Sequence, residues 1–240
     1  MGKPVQKSFR RTEKKYLLSA AQYEQLRCEL APHMEEDEYG LSLIMSLYYD
    51  SESFDMIRRS LEKPTYKEKL RLRSYGVPKD DDRVFLEIKK KCEGVVYKRR
   101  VTLTAAEAAD YLGGGEKPQG KGQIMEEIHW MRQRYAPKPV ALISVDRLAL
   151  FGKEDRELRV TFDFAPRART EDLDLRLGDR GELLLEEGFV LMELKVAGAA
   201  PLWLTEILSR MKLYPRSFSK YGTCYGRELS VACRKEEYHV

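Results

Sequence analysis

The sequence predicts an α+β fold dominated by an antiparallel sheet, with basic side chains in rows on one face of successive strands and helices over the other. Three observations lead there. Read as a strand, residues 66–76 put Lys67, Lys69, Arg71 and Arg73 on one side, because successive strand side chains alternate, and leave Glu68, Leu70 and Leu72 opposite. The pattern repeats: residues 84–91 align Phe85, Glu87, Lys89 and Lys91 against Leu86 and Ile88, and residues 95–103 align Lys98, Arg100 and Thr102 against Val95, Tyr97, Val101 and Leu103. Third, adjacent rows of like charge repel, so a chain that keeps them is expected to hold something polyanionic among them.

Taken in order, residues 8–19 read as a first strand with Arg11, Glu13 and Lys15 on one face. Residues 20–31 form a helix by composition, with Leu26 and Leu30 one turn apart. A strand over 40–49 is rich in Leu, Ile and Tyr; Asp50 or Ser51 then caps a short helix through Leu61, stopped by Pro64. After the basic strands, Thr104 and Glu107 make a capping box that opens an alanine-rich helix to Leu112. The glycine-rich segment that follows, with Gly115, Gly120, Lys121 and Gly122, is not a phosphate-binding P-loop. Gly122 stands where a Ser or Thr would hold magnesium, and a helix precedes the loop where a strand is required.

A second substantial helix is expected over 123–135, then a strand over 140–150 containing Asp146-Arg147. Residues 157–165 place Glu157, Arg159, Thr161 and Asp163 on one face, and residues 189–196 place Leu191, Glu193 and Lys195 together, each opposite an apolar row. Pro201 sits at a helix start, with Trp203, Ile207 and Leu208 as the core-facing stripe of 202–212. Residues 214–226 read as irregular and aromatic-rich, and 227–240 as a polar tail. We expect one domain over 1–240 with its core at 8–226.

Composition narrows the function. With 43 Lys and Arg against 39 Asp and Glu, the net charge is only +4, so the chain is not a globally basic nucleic-acid coat; its cations are concentrated on strand faces. Cys28, Cys92, Cys224 and Cys233 contain no Cys-x-x-Cys pair, which predicts neither zinc nor a disulfide scaffold and fits a reduced cytoplasmic setting. His33, His129 and His239 are scattered, so a histidine metal site is not expected. There is no apolar leader and no run of ~18 apolar residues, so neither a signal peptide nor a membrane span is expected.

With helices on the apolar faces, the polar faces are left to curve around a common interior. A closed barrel with a charged lumen would hide the sheet edges and grip a polyanion where water is partly excluded. The carboxylates among the cations suggest a divalent metal, because magnesium and manganese bind one or two carboxylates together with phosphate oxygens. Glu13, Glu87 and Glu193 are the candidate ligands, and Lys69, Lys91 and Arg100 extend the basic rows as substrate contacts.

The ordered set Arg11-x-Glu13-x-Lys15-Tyr16, Lys69-x-Arg71-x-Arg73-x-Tyr75-Gly76, Glu87-x-Lys89 with Lys98-Arg99-Arg100, Asp146-Arg147, Leu158-Arg159-Val160-Thr161-Phe162-Asp163, Met192-Glu193-Leu194-Lys195 and Ser217-Phe218-Ser219-Lys220-Tyr221 resembles the VTC domain. This is the catalytic domain of vacuolar transporter chaperone polyphosphate polymerases. More distantly, the set is similar to CYTH or triphosphate tunnel metalloenzymes. The resemblance covers residues 8–226 and implies an antiparallel tunnel barrel that moves the terminal phosphoryl group of ATP to a growing polyphosphate chain with Mn2+ or Mg2+ as cofactor. Lys15, Arg71, Arg73, Lys89, Lys98, Arg147, Arg159 and Lys220 match the family's phosphate-binding positions, Glu193 its metal ligand, and Lys195 and Ser219 fall inside matched motifs.

The opening Arg11-x-Glu13-x-Lys15, in place of Glu-x-Glu-x-Lys, favours the polymerase branch. Val145 stands where a tyrosine is common in the family, and the resemblance covers neither the SPX domain nor the membrane segments of eukaryotic members, so regulation by that route and transport across a membrane are not expected. The partners implied are ATP and inorganic polyphosphate or pyrophosphate. Nucleic acid is not expected, since no RNP, KH or helix-turn-helix signature occurs. The same cradle would also serve an inorganic or nucleoside triphosphatase, or a non-catalytic receptor for polyphosphate or RNA; the pattern fixes neither the acceptor nor the oligomeric state.

Overall fold

The computed structural model describes residues 11–229 except Lys63 and Gly94. The expected start of the first strand at residues 8–10, and Cys233 and His239 in the tail, lie outside the described residues. Ten strands, β1 (Arg11–Ser19), β2 (Met34–Glu36), β3 (Ser42–Asp50), β4 (Tyr66–Tyr75), β5 (Arg83–Cys92), β6 (Val95–Thr104), β7 (Lys138–Gly152), β8 (Arg159–Arg169), β9 (Glu182–Leu183) and β10 (Phe189–Ala197), are accompanied by six α-helices. These are α1 (Ala20–Leu30), α2 (Asp55–Leu61), α3 (Ala105–Leu112), α4 (Gly122–Tyr135), α5 (Leu202–Arg210) and α6 (Lys220–Cys224). The hydrogen-bonded path runs β1-β10-β8-β7-β3-β4-β5-β6, with β2 on β7 and β9 on β8. The β1–β10, β10–β8, β3–β4, β4–β5 and β5–β6 registers are all antiparallel, so the fold is an antiparallel-sheet α+β fold. Among the described residues the path is open, ending at β1 and β6.

The chain divides into two compact units. The first comprises the described part of Met1–Leu41 with Arg147–Phe164 and Gly188–Ser217; the second comprises Ser42–Asp146, Ala165–Glu187 and the described part of Phe218–Val240. In the first unit the apolar strand faces bury Tyr16, Leu18, Val160, Phe162, Met192 and Leu194 against Leu26 and Leu30 of α1 and Leu204, Ile207 and Leu208 of α5. Removing these surfaces from water is the main stabilising term, at about 25 cal/mol per Å² of apolar area. Trp203, half-buried, packs at the edge of this core and stacks on His33 at 4.1 Å, while Leu204 joins Ile207 and Leu208 as the buried part of the α5 stripe.

In the second unit Leu70, Leu72, Leu86, Ile88, Val101 and Leu103 meet Ala108 and Tyr111 of α3 and Met125, Ile128 and Met131 of α4. The helix ends follow their local chemistry. Both Ser19 with Gln22 and Thr104 with Glu107 close reciprocal capping boxes, satisfying amides that the first helical turn leaves without partners. Helix α4 stops at Ala136, left-handed at φ 41° and followed by Pro137, which cannot continue a helix. No helix among the described residues is long and apolar enough to cross a membrane.

Candidate functional site

Each unit carries one charged sheet face, and the two are built differently. In the second unit the register sets Tyr48 beside Arg71, Arg71 beside Glu87 and Glu87 beside Arg100; Ser46 lies beside Arg73, Lys69 beside Lys89, and Lys89 beside Lys98. Alternation therefore puts the basic rows of β4, β5 and β6 on one continuous face, as the sequence pattern required. Along β4 the burial alternates too: Glu68, Leu70, Leu72 and Ser74 are buried, whereas Lys67, Lys69, Arg71 and Arg73 are half-buried.

Glu87 is the centre of this face. Its side chain is 1% exposed, yet three cations address it: Arg71 donates from Nε at 2.8 Å and Nη2 at 2.7 Å, Lys98 Nζ lies at 2.7 Å, and Arg73 Nη1 at 4.0 Å. Burial pushes the Glu87 carboxyl up, but Arg71, Arg73 and Lys98 outweigh it and hold the group down at about 2. Burial lowers Lys98 to about 8, with Glu87 pulling back against that shift. This surrounding of cations makes Glu87 a counter-anion that keeps three positive groups close; it suits a metal ion poorly, since the carboxylate's oxygens are already met by positive charge.

Tyr48, which the sequence reading left without a role, belongs to this face: Arg71 Nη1 donates to its hydroxyl at 3.3 Å. Arg73 Nε donates to Ser46 Oγ at 3.3 Å, and Arg100 lies over the Phe85 ring at 4.6 Å. The segment read as irregular contains α6, capped by Ser219, whose Oγ accepts from Gly222 N at 3.1 Å. Ser219 thus has a structural task of its own. Half-buried Lys220 precedes Tyr221, whose ring stacks on Tyr48 at 4.7 Å and lies under Lys69 Nζ at 5.7 Å. Lys91 and the stretch Val95–Arg100 are exposed; the buried apolar row of β6 is confined to Val101 and Leu103, and α4 meets the exposed stretch through the ion pair of Glu127 with Arg99. Strict alternation in β3 sets Ser46, Tyr48 and Asp50 apart from Met45, Leu47 and Tyr49; that signal was available and would have found Tyr48.

On the first unit Lys15 pairs across the ladder with Glu193, Glu13 with Lys195, Glu193 with Thr161, Lys195 with Arg159, and Leu191 with Asp163. Lys15 Nζ lies 3.6 Å from Glu193 and 3.9 Å from Glu13, and Lys195 Nζ lies 3.7 Å from Glu193. Arg147 grips Asp163 with two parallel bonds, Nε to Oδ1 at 2.5 Å and Nη2 to Oδ2 at 2.7 Å, and Asp163 is fully buried. Arg159 is exposed and lies over Phe151 at 4.6 Å, and Val145, in the second unit, is buried. The neighbour of Arg147, Asp146, turns the other way and accepts from Arg167 at 2.9 Å in the second unit.

Among the described residues no three Asp, Glu, His or Cys side chains gather into a metal cage. Glu13 and Glu193 nevertheless share one face and one lysine, at salt-bridge rather than tight hydrogen-bond distances. Two oxygen donors of that kind, completed by phosphate oxygens, are what magnesium or manganese takes from a protein. Glu13 and Glu193 therefore fit a divalent ion chemically, whereas Glu87 does not.

The VTC domain matches residues 10–227. This chain belongs to the VTC domain family. Subunit 4 of the vacuolar transporter chaperone complex of Trypanosoma brucei brucei is 28% identical over 233 residues, covering 77% of this chain and 29% of its own length. The VTC domain described here thus spans less than a third of that relative. Among solved structures, a candidate adenylate cyclase from Vibrio parahaemolyticus gives a TM-score of 0.49 at 11% identity, over 90% of this chain and 97% of that one. A candidate adenylyl cyclase from Hippeastrum, described as having a dominant triphosphatase activity, gives 0.46 at 14% identity, over 87% and 92% respectively.

Proposed function

We propose that this VTC domain is a metal-dependent polyphosphate polymerase that transfers the terminal phosphoryl group of ATP to a growing polyphosphate chain. The observation that carries the reading is the cluster of Arg71, Arg73 and Lys98 around the buried Glu87, in a chain whose family match spans residues 10–227. Phosphoryl transfer asks a protein mainly to position phosphates and to stabilise negative charge. A terminal phosphate oxygen of the acceptor is already anionic at neutral pH, so no side chain need act as nucleophile or general base. That oxygen attacks the γ-phosphorus, the bond to the β–γ bridging oxygen breaks, and ADP leaves with the electron pair.

In this reading Arg71, Arg73, Lys98, Lys69 and Lys89 bind phosphate oxygens on the second unit, while Glu87 keeps their charges from driving them apart. On the first unit Lys15, Arg159 and Lys195 do the same, Arg147 is fixed by Asp163, and Glu13 and Glu193 would hold Mn2+ or Mg2+. A bound divalent ion would neutralise charge that develops on the transferring phosphoryl group. Arg71 is suited to its part because its planar fork can serve Glu87 with one edge and a phosphate with the rest, which a lysine could not.

The test is incubation of the purified chain with ATP and Mn2+ or Mg2+, with products resolved on a gel. Long polyphosphate that is absent from an Arg71→Ala control supports the polymerase. Orthophosphate alone replaces it with a triphosphatase, and no ATP consumption at all removes the enzymatic reading.

A further inference from the structure

Behind the basic face of the second unit lies a chain of contacts that the phosphate-binding reading does not use. It begins at Asp50, which is fully buried. Its Oδ1 accepts from the amides of Ser51 and Met56, both at 2.9 Å, and its Oδ2 accepts from the amide of Ile57 at 3.0 Å and the hydroxyl of Tyr221 at 2.8 Å. The carboxylate thus holds the first turn of α2, whose own N-cap, Phe54, is left-handed at φ 58° and makes no side-chain cap. It also orients Tyr221. The Tyr221 ring lies against Tyr48 at 4.7 Å and 21°, and the Tyr48 hydroxyl accepts from Arg71.

Arg71 is therefore held on two edges: Nε and Nη2 face Glu87 from β5, and Nη1 faces Tyr48 from β3. An arginine anchored on one edge can still swing its plane about the side-chain torsions. Anchored on two edges from opposite neighbouring strands, it cannot turn without breaking one of them. We infer that Tyr48 is a positioning residue of the basic face, fixing the guanidinium plane of Arg71 for an incoming phosphate oxygen, and that Tyr221 and Asp50 hold the Tyr48 ring in the place this requires. The inference rests on the reading of this face as a phosphate site and concerns how that site is built.

The bland alternative is that the Tyr48–Tyr221 stack only packs α6 onto β3, since Tyr48 also borders the small cluster of Ile57, Ala141, Ile143 and Tyr221. The two readings differ in the hydroxyl, because Phe would pack as well. They differ in pH response too. The charged and titratable groups around Tyr48 are Lys69, Arg71 and Arg73 on β4, Tyr221 on α6, Asp50 on its own strand and, through Arg71, Glu87 on β5. Burial pushes the Tyr48 phenol up, but Arg71, Lys69 and Arg73 outweigh burial and bring it down to about 8. Below that pH the phenol is neutral and Arg71 presents its whole charge; above it a phenolate would pair with Arg71 and compete with phosphate. Lys98, also at about 8, loses its own charge over the same range. For that reason the comparison must be between wild type and a Tyr48 variant, not between two pH values alone.

The experiment is calorimetric titration of the whole chain with inorganic tripolyphosphate, below and above pH about 8, for wild type, Tyr48→Phe, Tyr221→Phe and Arg71→Ala. Tyr48→Phe should weaken binding about fifteenfold at the lower pH, the lower end of the worth of one hydrogen bond to a charged donor, and should show a smaller further loss than wild type on crossing to the higher pH. Tyr221→Phe, which keeps the Tyr48 hydroxyl and the ring stack but removes the bond to Asp50 that orients that stack, should weaken binding while retaining the wild-type pH step. Wild-type affinity and a wild-type pH step in Tyr48→Phe, with binding lost in Arg71→Ala, would reduce Tyr48 to packing and leave the phosphate site standing. If Tyr48→Phe does not fold, unchanged affinity in Tyr221→Phe overturns the inference by itself. Equal binding by wild type and Arg71→Ala would bring down the phosphate-site reading, and this inference with it.

Discussion

The charged face of the second unit and that of the first solve the same electrostatic problem in different ways. Around Glu87, one carboxylate is shared by Arg71, Lys98 and, more distantly, Arg73, so the cations outnumber it and are locked by it. Around Glu193 the partners are flexible lysines at 3.6 and 3.7 Å, and a second carboxylate, Glu13, lies within reach of the same Lys15. The fully buried anion of the first unit, Asp163, is held by a two-point arginine grip. An excess of fixed cations makes a preset receptor for a polyanion. Carboxylates balanced by ammonium groups at salt-bridge distance are able to exchange those groups for another cation. Under the proposed function, the contrast assigns phosphate to the first of these arrangements and a divalent ion to the second.

The largest effect that would break this contrast is on turnover. Replacing Arg71 with alanine should lower the rate of polyphosphate synthesis by about 10²–10³-fold, the usual cost of removing a donor aimed at developing charge, while circular dichroism stays native. Normal turnover would show that the face is a solvated surface. Next in size is a difference in stability between the two faces. Arg147→Ala strands the buried Asp163 and should cost about 3 kcal/mol in urea unfolding. Arg71→Ala should cost clearly less, since Glu87 retains Lys98 and Arg73; equal costs would mean that the faces do not differ in this way.

Acid sharpens the same comparison. Glu87 ionises at about 2 in the folded chain, below the ordinary glutamate value of 4.5, so the folded state takes up its proton later than the unfolded state does. The stabilisation from Glu87 is therefore complete above about pH 4.5 and is lost as pH falls from there towards 2. Urea midpoints measured across that interval should drop in wild type and drop less in Glu87→Gln; parallel curves would deny the cation cluster its role. The smallest of these effects concerns the first unit. Glu193→Gln should raise the Mn2+ concentration needed for half-maximal turnover by about tenfold, with binding of ATP retained. A variant that is merely less stable, with an unchanged metal titration, would leave Glu193 as a counter-charge to Lys15 and Lys195.

The period of two made most of this legible in the sequence. Alternation located the rows on β4, β5 and β6, and the opposite row Glu68, Leu70 and Leu72 is indeed buried. What the period could not give is which carboxylate pairs with which cation. Glu87 was read as a metal ligand because its residue type allows it, and only the register beside Arg71 and Arg100 shows how many positive groups meet it. Asp50 is instructive in another sense. The sequence offers Asp50 or Ser51 as a cap for the following helix, and both serve it from beyond the end of a helix that starts only at Asp55: Asp50 satisfies the amides of Met56 and Ile57, and Ser51 Oγ that of Asp55. The hydroxyl of Tyr221 on the same carboxylate comes from a segment that showed no periodicity, because a helix as short as Lys220–Cys224 has too few turns to display one.

The pairing of β1 with β10 constrains how the chain can be made. During synthesis the meander β3-β4-β5-β6 joins neighbours along the chain and can form as soon as Thr104 has left the ribosome. Strand Arg11–Ser19 must wait, carrying its row of charges in solution, until Phe189–Ala197 emerges to receive it, and Asp50 waits longer still for Tyr221. Contacts between such distant parts of a chain are slow to find each other. The carboxylates Glu13 and Glu193 are thus brought together among the last events of folding. A truncated or stalled nascent chain would hold a finished basic meander in which the cations outnumber Glu87, and would be drawn to the polyanions of the translation machinery itself.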